Sequence, residues 1–67
     1  MNKSKRVEKA IDEILEVVDT VEFMYYDCKR LNYEERELLY NDLMERSLCV
    51  FHCQEYLTIS TNWEAIE

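Results

Sequence analysis

The chain has 67 residues, carries a net charge of −7 and contains neither Gly nor Pro. This length limits it to one domain, and the negative charge argues against direct nucleic-acid binding, which needs a basic surface to displace counterions. A membrane span needs about 18 consecutive apolar residues, and no apolar run approaches that length. No apolar signal-peptide core follows the basic residues at the start. We therefore expect a cytoplasmic protein without membrane contact.

The first predicted element is a long helix from about residue 4 to residue 31. Its apolar positions recur at alternating spacings of 4 and 3, which is a heptad pattern. These positions are Val7, Ile11, Ile14, Val18, Val21, Tyr25 and Cys28. Further apolar residues widen this stripe, as is typical of a helix in a bundle.

A second helix is predicted from residue 33 to residue 57. Asn32 followed by Glu35 resembles a capping box, which would start this helix after a short turn. Leu39, Leu43 and Val50 share one apolar face with Leu57. Because Gly and Pro are absent, few chain reversals are expected, and each element should be long.

Residues 58–67 are predicted to break the helix and to form a short C-terminal turn or helix, in which Trp63 and Ile66 pack on the bundle. The predicted fold is therefore all-α: a helical hairpin, in one domain of residues 1–67, that pairs into a homodimeric four-helix bundle. The alternative is a monomeric three-helix unit. The expected dimer core comprises Val7, Ile11, Ile14, Val18, Val21, Tyr25, Leu39, Leu43, Val50 and Leu57.

Possible chemistry centres on three cysteines. Cys28, Cys49 and Cys53, with His52, are residue types that bind zinc. In a helical hairpin, however, Cys28 would lie far from Cys53, so free thiols without a metal or cofactor are expected. No glycine-rich loop or nucleophile–base pair is recognisable, so we do not expect an enzyme.

The outer face of the first predicted helix carries acidic residues with aromatic residues among them. This set comprises Asp12, Glu16, Asp19, Phe23, Tyr26 and Asp27. The plain interpretation is a solvated face. The functional interpretation is a recognition patch for another protein with a basic surface.

The resulting functional hypothesis is a small acidic regulator or inhibitor, of the kind that phages and mobile elements encode. It would dock on a basic surface of a nucleic-acid-handling protein. Two alternatives stay open: a metal- or redox-responsive dimer that uses its cysteines, and a structural assembly subunit.

Overall fold

The computed structural model describes residues 5–62 and has helices on one side of an antiparallel sheet. The elements are α1 (Lys5–Val17), β1 (Met24–Asp27), α2 (Tyr33–Glu45), β2 (Cys49–Cys53) and β3 (Tyr56–Ser60), with a 3-10 turn at Val18–Thr20. The all-α prediction is therefore wrong. Neither helix in this part of the chain has the length and apolar character needed to cross a membrane.

Helix α1 follows the predicted heptad pattern but ends at Val17 instead of residue 31. The segment that follows is rich in β-branched residues, whose stiff side chains disfavour helix. The Thr20 hydroxyl donates a hydrogen bond to the Val17 carbonyl at 2.7 Å, which satisfies a carbonyl at the helix end. Val21 is already extended, and β1 begins shortly afterwards.

The start of α2 confirms the predicted capping box. The Asn32 side chain accepts the Glu35 N–H at 2.8 Å, and the Glu35 carboxylate accepts the Asn32 N–H at 3.0 Å. These two bonds satisfy backbone donors that the first helical turn would otherwise leave unpaired.

Helix α2 ends at Glu45, twelve residues before the predicted end at residue 57. Ser47 has a φ of 66°, in the left-handed region that usually favours Gly. The Ser47 N–H donates to the Met44 carbonyl and the Leu48 N–H to the Leu43 carbonyl, which together form a Schellman motif. Ser47 thus adopts the left-handed conformation at the chain reversal. The absence of Gly from the sequence had made a reversal here unexpected.

Residues after this reversal form a β-hairpin. Strands β2 and β3 are joined at Gln54–Glu55, and β3 pairs on its other side with β1, which gives the order β1–β3–β2. Both hairpin strands are rich in β-branched and aromatic residues, which suit a pleated surface. Leu57 and Ile59 of β3 point towards the helices, while Tyr56 and Thr58 alternate onto the opposite face.

The core lies between the helices and the inner face of the sheet. Eight residues of the predicted dimer core are buried within this one chain: Val7, Ile11, Ile14, Val18, Leu39, Leu43, Val50 and Leu57. The same core also contains Ala10, Cys28, Leu31 and Ile59. Val21 and Tyr25 are exposed.

The helical hairpin, the four-helix bundle and the three-helix alternative are all corrected by this arrangement. The second predicted helix combined a real helix with residues of two strands. The spacing of apolar residues over a short run does not distinguish a helix from a strand. The proposed packing of Trp63 and Ile66, and the start of the first helix at residue 4, lie outside the described residues.

Candidate functional site

The outer face of the sheet, on the side away from the helices, presents exposed aromatic side chains. We call this surface the open sheet face and define it by Phe23, Tyr25, Phe51, Tyr56 and Thr58. Tyr25 is 66% exposed and Phe51 is 57% exposed. The pairing register places both of them opposite Thr58 of the central strand, so the three side chains form a row across the sheet.

A shallow depression of about 460 Å³ lies on this face, with Cys53 and Gln54 completing its border. Phe23 extends the surface along β1, because its ring meets the Tyr25 ring edge-on at a centroid distance of 5.4 Å. Edge-to-face pairs of this kind hold aromatic rings in a defined orientation. The open sheet face is therefore largely apolar, and its Phe23 and Tyr25 rings have a defined relative orientation.

One end of the sheet's outer side is closed by the chain itself. Ser60 and Cys49 pair across the strands there, and both are buried. The Ser60 hydroxyl donates to the Glu22 carbonyl and accepts the Asn62 N–H. The segment before β1 is thereby held across this end, which confines the exposed aromatic surface to the remaining part of the sheet.

Three exposed acidic residues flank the strands that carry the open sheet face. Glu22 precedes Phe23, Asp27 ends β1 and Glu55 lies in the hairpin turn, and all three are exposed. Lys29 contacts Glu55 at 3.9 Å and offsets part of that charge. Exposed acidic residues thus adjoin the strands of the open sheet face along the chain, in keeping with the net charge of −7.

The six predicted partner-binding residues do not lie on one helix. Asp12 and Glu16 are exposed on α1, and Asp19 lies in the 3-10 turn that follows it. Phe23 belongs to the open sheet face. The remaining two, Tyr26 and Asp27, lie on β1. Contact of these residues with a partner stays a prediction.

Tyr26 points to the helix side of the sheet. Its hydroxyl donates a 2.7 Å hydrogen bond to the Glu13 carboxylate of α1. Burial raises the pKa of the Tyr26 phenol well above its usual range, and the Glu13 hydrogen bond and charge raise it further. The phenol is therefore neutral over the physiological pH range and acts as a hydrogen-bond donor that links α1 to β1.

The cysteines are free thiols in three separate environments. Cys28 and Cys49 are buried, whereas Cys53 is exposed at the border of the open sheet face. Burial raises the pKa of the Cys28 thiol, which disfavours the thiolate form. Within residues 5–62, no group of three or more His, Cys, Asp and Glu side chains is placed to hold a metal ion.

The comparisons with known proteins find no matching family model, no matching curated protein and no matching solved structure.

The helical prediction did not place Tyr25, Phe51 and Tyr56 on one surface. A signal was present, because β-branched and aromatic residues concentrate in 49–53 and 56–60, the two strands of the hairpin. The turn between them, Gln54–Glu55, lacks the Gly or Asn that would have marked it. The helical interpretation placed Tyr25 on the first helix, and Phe51 and Tyr56 on different parts of the second, and so separated them.

Proposed function

We propose that this chain is a small, non-catalytic binding module of the cytoplasm that regulates or inhibits another protein by docking its open sheet face on it. The observation that carries the proposal is the row of exposed aromatic side chains on a sheet whose other face is already covered by helices. The proposed partner is a nucleic-acid-handling protein with a basic border around an apolar contact surface.

The apolar character of the open sheet face supports docking. Tyr and Phe have few side-chain torsions to immobilise, so they bury a large area at a small entropic cost. They are also enriched at the centres of protein interfaces, where they contribute much of the binding free energy. Exposed aromatic side chains do not increase the solubility of a small chain. Their concentration on one side therefore favours a role in binding.

The charge around the face supports the choice of partner. Acidic residues outnumber basic ones by 15 to 8 in the chain, so a basic surface is attracted at long range. Proteins that bind nucleic acid carry such surfaces to neutralise phosphates. Occupation of that surface by an acidic protein would exclude the nucleic acid, which is how inhibition would arise.

The aromatic pair Tyr25 and Phe51 provides the test. We expect Tyr25→Ser combined with Phe51→Ser to abolish binding to the partner, because both substitutions remove apolar area from the centre of the face. The matched control is Tyr33→Ser, since Tyr33 is 78% exposed on α2, outside the face. Far-UV circular dichroism of each variant verifies that the fold is retained.

The measurement is quantitative capture from lysate of the source cells, with mass spectrometry of the proteins retained by each variant. The expected result is a basic, nucleic-acid-binding protein that is retained by the native chain and by Tyr33→Ser, lost with the double variant and weakened by salt. Equal capture by all three chains would refute the proposal.

A second copy of the chain is the competing occupant of the face. Native mass spectrometry of the purified chains distinguishes it, because a homodimer formed through the face would dissociate in the double variant and persist in Tyr33→Ser. That outcome would replace the heterologous partner by self-association. A monomer in all three samples leaves the face free for the proposed partner.

A further inference from the structure

A second surface feature is a cleft of about 440 Å³ between α1, β1 and the loop that leads to α2. It is separate from the open sheet face and independent of the function proposed above. Its lining includes three cationic side chains from two distant parts of the sequence: Arg6, Lys9 and Arg30. The chain has a net charge of −7, yet three of its eight basic residues line this one cleft.

The cleft is held in place by hydrogen bonds to the loop backbone. The Arg36 side chain donates to the carbonyls of Cys28 and Leu31, at 2.9 and 3.0 Å. The Arg6 guanidinium donates to the Arg30 carbonyl at 3.1 Å. These bonds attach the loop to both helices, so Arg30 is positioned next to α1 before any ligand arrives.

Some charged side chains of the cleft already have a hydrogen-bond or ion-pair partner, and others have no ion pair in the described part of the chain. Glu13 accepts the Tyr26 hydroxyl, and Asp27 accepts the Lys29 N–H at 2.8 Å. Arg6 lies 3.7 Å from Glu35, a carboxylate that is already part of the capping box. Within residues 5–62, by contrast, no ion pair involves Lys9 or Arg30. Among the described residues, Lys9 and Arg30 therefore face the cleft without a carboxylate at ion-pair distance, and the lining as a whole carries three cations against the two carboxylates Glu13 and Asp27.

We propose that this cleft binds a small phosphate monoester, with Lys9 and Arg30 as the principal phosphate ligands and Arg6 as a supporting one. A phosphate monoester carries about −1.5 to −2 charge at neutral pH, and guanidinium groups bind its oxygens in a bidentate manner. A cleft of this volume falls within the range of small-molecule sites, about 300–1,000 Å³, and exceeds what a bare phosphate fills.

The remaining lining suits the organic part of such a ligand. Glu13 and Leu31 both line the cleft; a carboxylate has acceptor capacity left for a ligand hydroxyl after the Tyr26 hydrogen bond, and Leu31 offers an apolar contact. The proximity of Glu13 and Asp27 also limits affinity for the anion, because like charges repel. Removal of a cation from the cleft should therefore weaken ligand binding, and removal of a carboxylate should strengthen it.

The experiment titrates the ¹⁵N-labelled full chain with glycerol phosphate, inorganic phosphate and sodium chloride at equal ionic strength, and follows amide shifts by NMR. Lys9→Gln should weaken glycerol phosphate binding about threefold, in line with the strength of an exposed charge pair. Glu13→Gln should strengthen it by a similar factor, about threefold, because it removes a repelling charge and keeps the acceptor for Tyr26.

Two controls change the charge of the chain by the same amounts outside the cleft. Lys29→Gln and Glu37→Gln should leave the affinity for glycerol phosphate unchanged. Saturable shifts centred on residues 9, 26, 30 and 31, with tighter binding of the ester than of inorganic phosphate, support the proposal. If the four variants merely follow net charge, or if the shifts never saturate, the site does not exist. Equal affinity for both phosphates would overturn the assignment to an ester.

Discussion

At the scale of single residues, interactions between near neighbours were readable from sequence, whereas long-range ones were not. Asn32 and Glu35 are three positions apart, and their side chains meet whenever a helix starts there. Tyr26 and Glu13 are 13 positions apart, and only the packing of α1 against β1 brings them together. The same packing decides that Cys28 is buried and Cys53 is exposed.

The Tyr26–Glu13 hydrogen bond predicts a specific dependence of stability on pH. The phenol has a raised pKa in the folded chain, above the unfolded value of about 10. Its stabilising contribution is therefore fully present below pH 10 and is lost as pH rises through the folded pKa. Tyr26→Phe removes both the bond and this titration.

We expect Tyr26→Phe to cost about 0.5 kcal/mol at pH 8, at the low end for a hydrogen bond because the site is partly exposed. Between pH 8 and pH 11 the native chain should lose more stability than the variant, so that its advantage shrinks. Urea unfolding of both chains at the two pH values measures this. Parallel loss of stability in the two chains would show that the Tyr26 pKa is not raised.

At the scale of elements, the start of α2 was predicted from the sequence, whereas the ends of both helices were not. The heptad pattern from Val7 to Val18 describes α1 correctly, but the same spacing continues by coincidence into Val21 and Tyr25, which are extended. Helix α2 is stopped by a Schellman motif whose left-handed residue is Ser47. Serine is uncommon at that position, so the end of α2 carried little signal.

Ser47 therefore offers a site for stabilisation. A left-handed conformation costs a non-Gly residue about 1–2 kcal/mol, and the greater unfolded-state entropy of Gly offsets about 0.5–1 kcal/mol of the gain. We expect Ser47→Gly to raise the free energy of unfolding by about 0.5–1 kcal/mol.

The matched control for Ser47→Gly is Glu37→Gly, in the exposed interior of α2. This change should destabilise the chain by about 0.5 kcal/mol, because Gly is a poorer helix former than Glu. Denaturant unfolding compares the two. Destabilisation by Ser47→Gly would mean that α2 does not end in the left-handed turn.

At the scale of the whole molecule, one small core holds together both helices and the sheet. Ile59 of the central strand is fully buried between β1 and β2, whereas Phe51 on β2 faces solvent. A chain of this size buries a modest area, so we expect its total stability near the low end of the usual range. A single large cavity should therefore be enough to unfold it.

We expect Ile59→Ala to cost about 2–5 kcal/mol and to leave the chain largely unfolded at 25 °C. Phe51→Ala changes an exposed side chain and should leave the fold intact, with a loss of about 0.5 kcal/mol or less. Thermal unfolding followed by circular dichroism distinguishes the two. Comparable stability of both variants would contradict the inward orientation of Ile59 and the outward orientation of Phe51.

The sequence by itself determined the acidic charge, the amphipathic first helix and the capped start of the second, because charge, heptad spacing and a three-residue capping box are local properties. It also indicated most of the core, since side chains such as Ile14 and Leu39 are buried in either fold.

Only the tertiary structure decided that 49–60 forms a hairpin, that Tyr25 and Phe51 share an exposed face, and that Arg30 joins Arg6 and Lys9 at one cleft. The physical reason is that strand pairing and loop placement depend on contacts between residues far apart in the chain. Left-handed turns at Ser47 and Gln54, made without Gly, left no local mark of where those contacts would form.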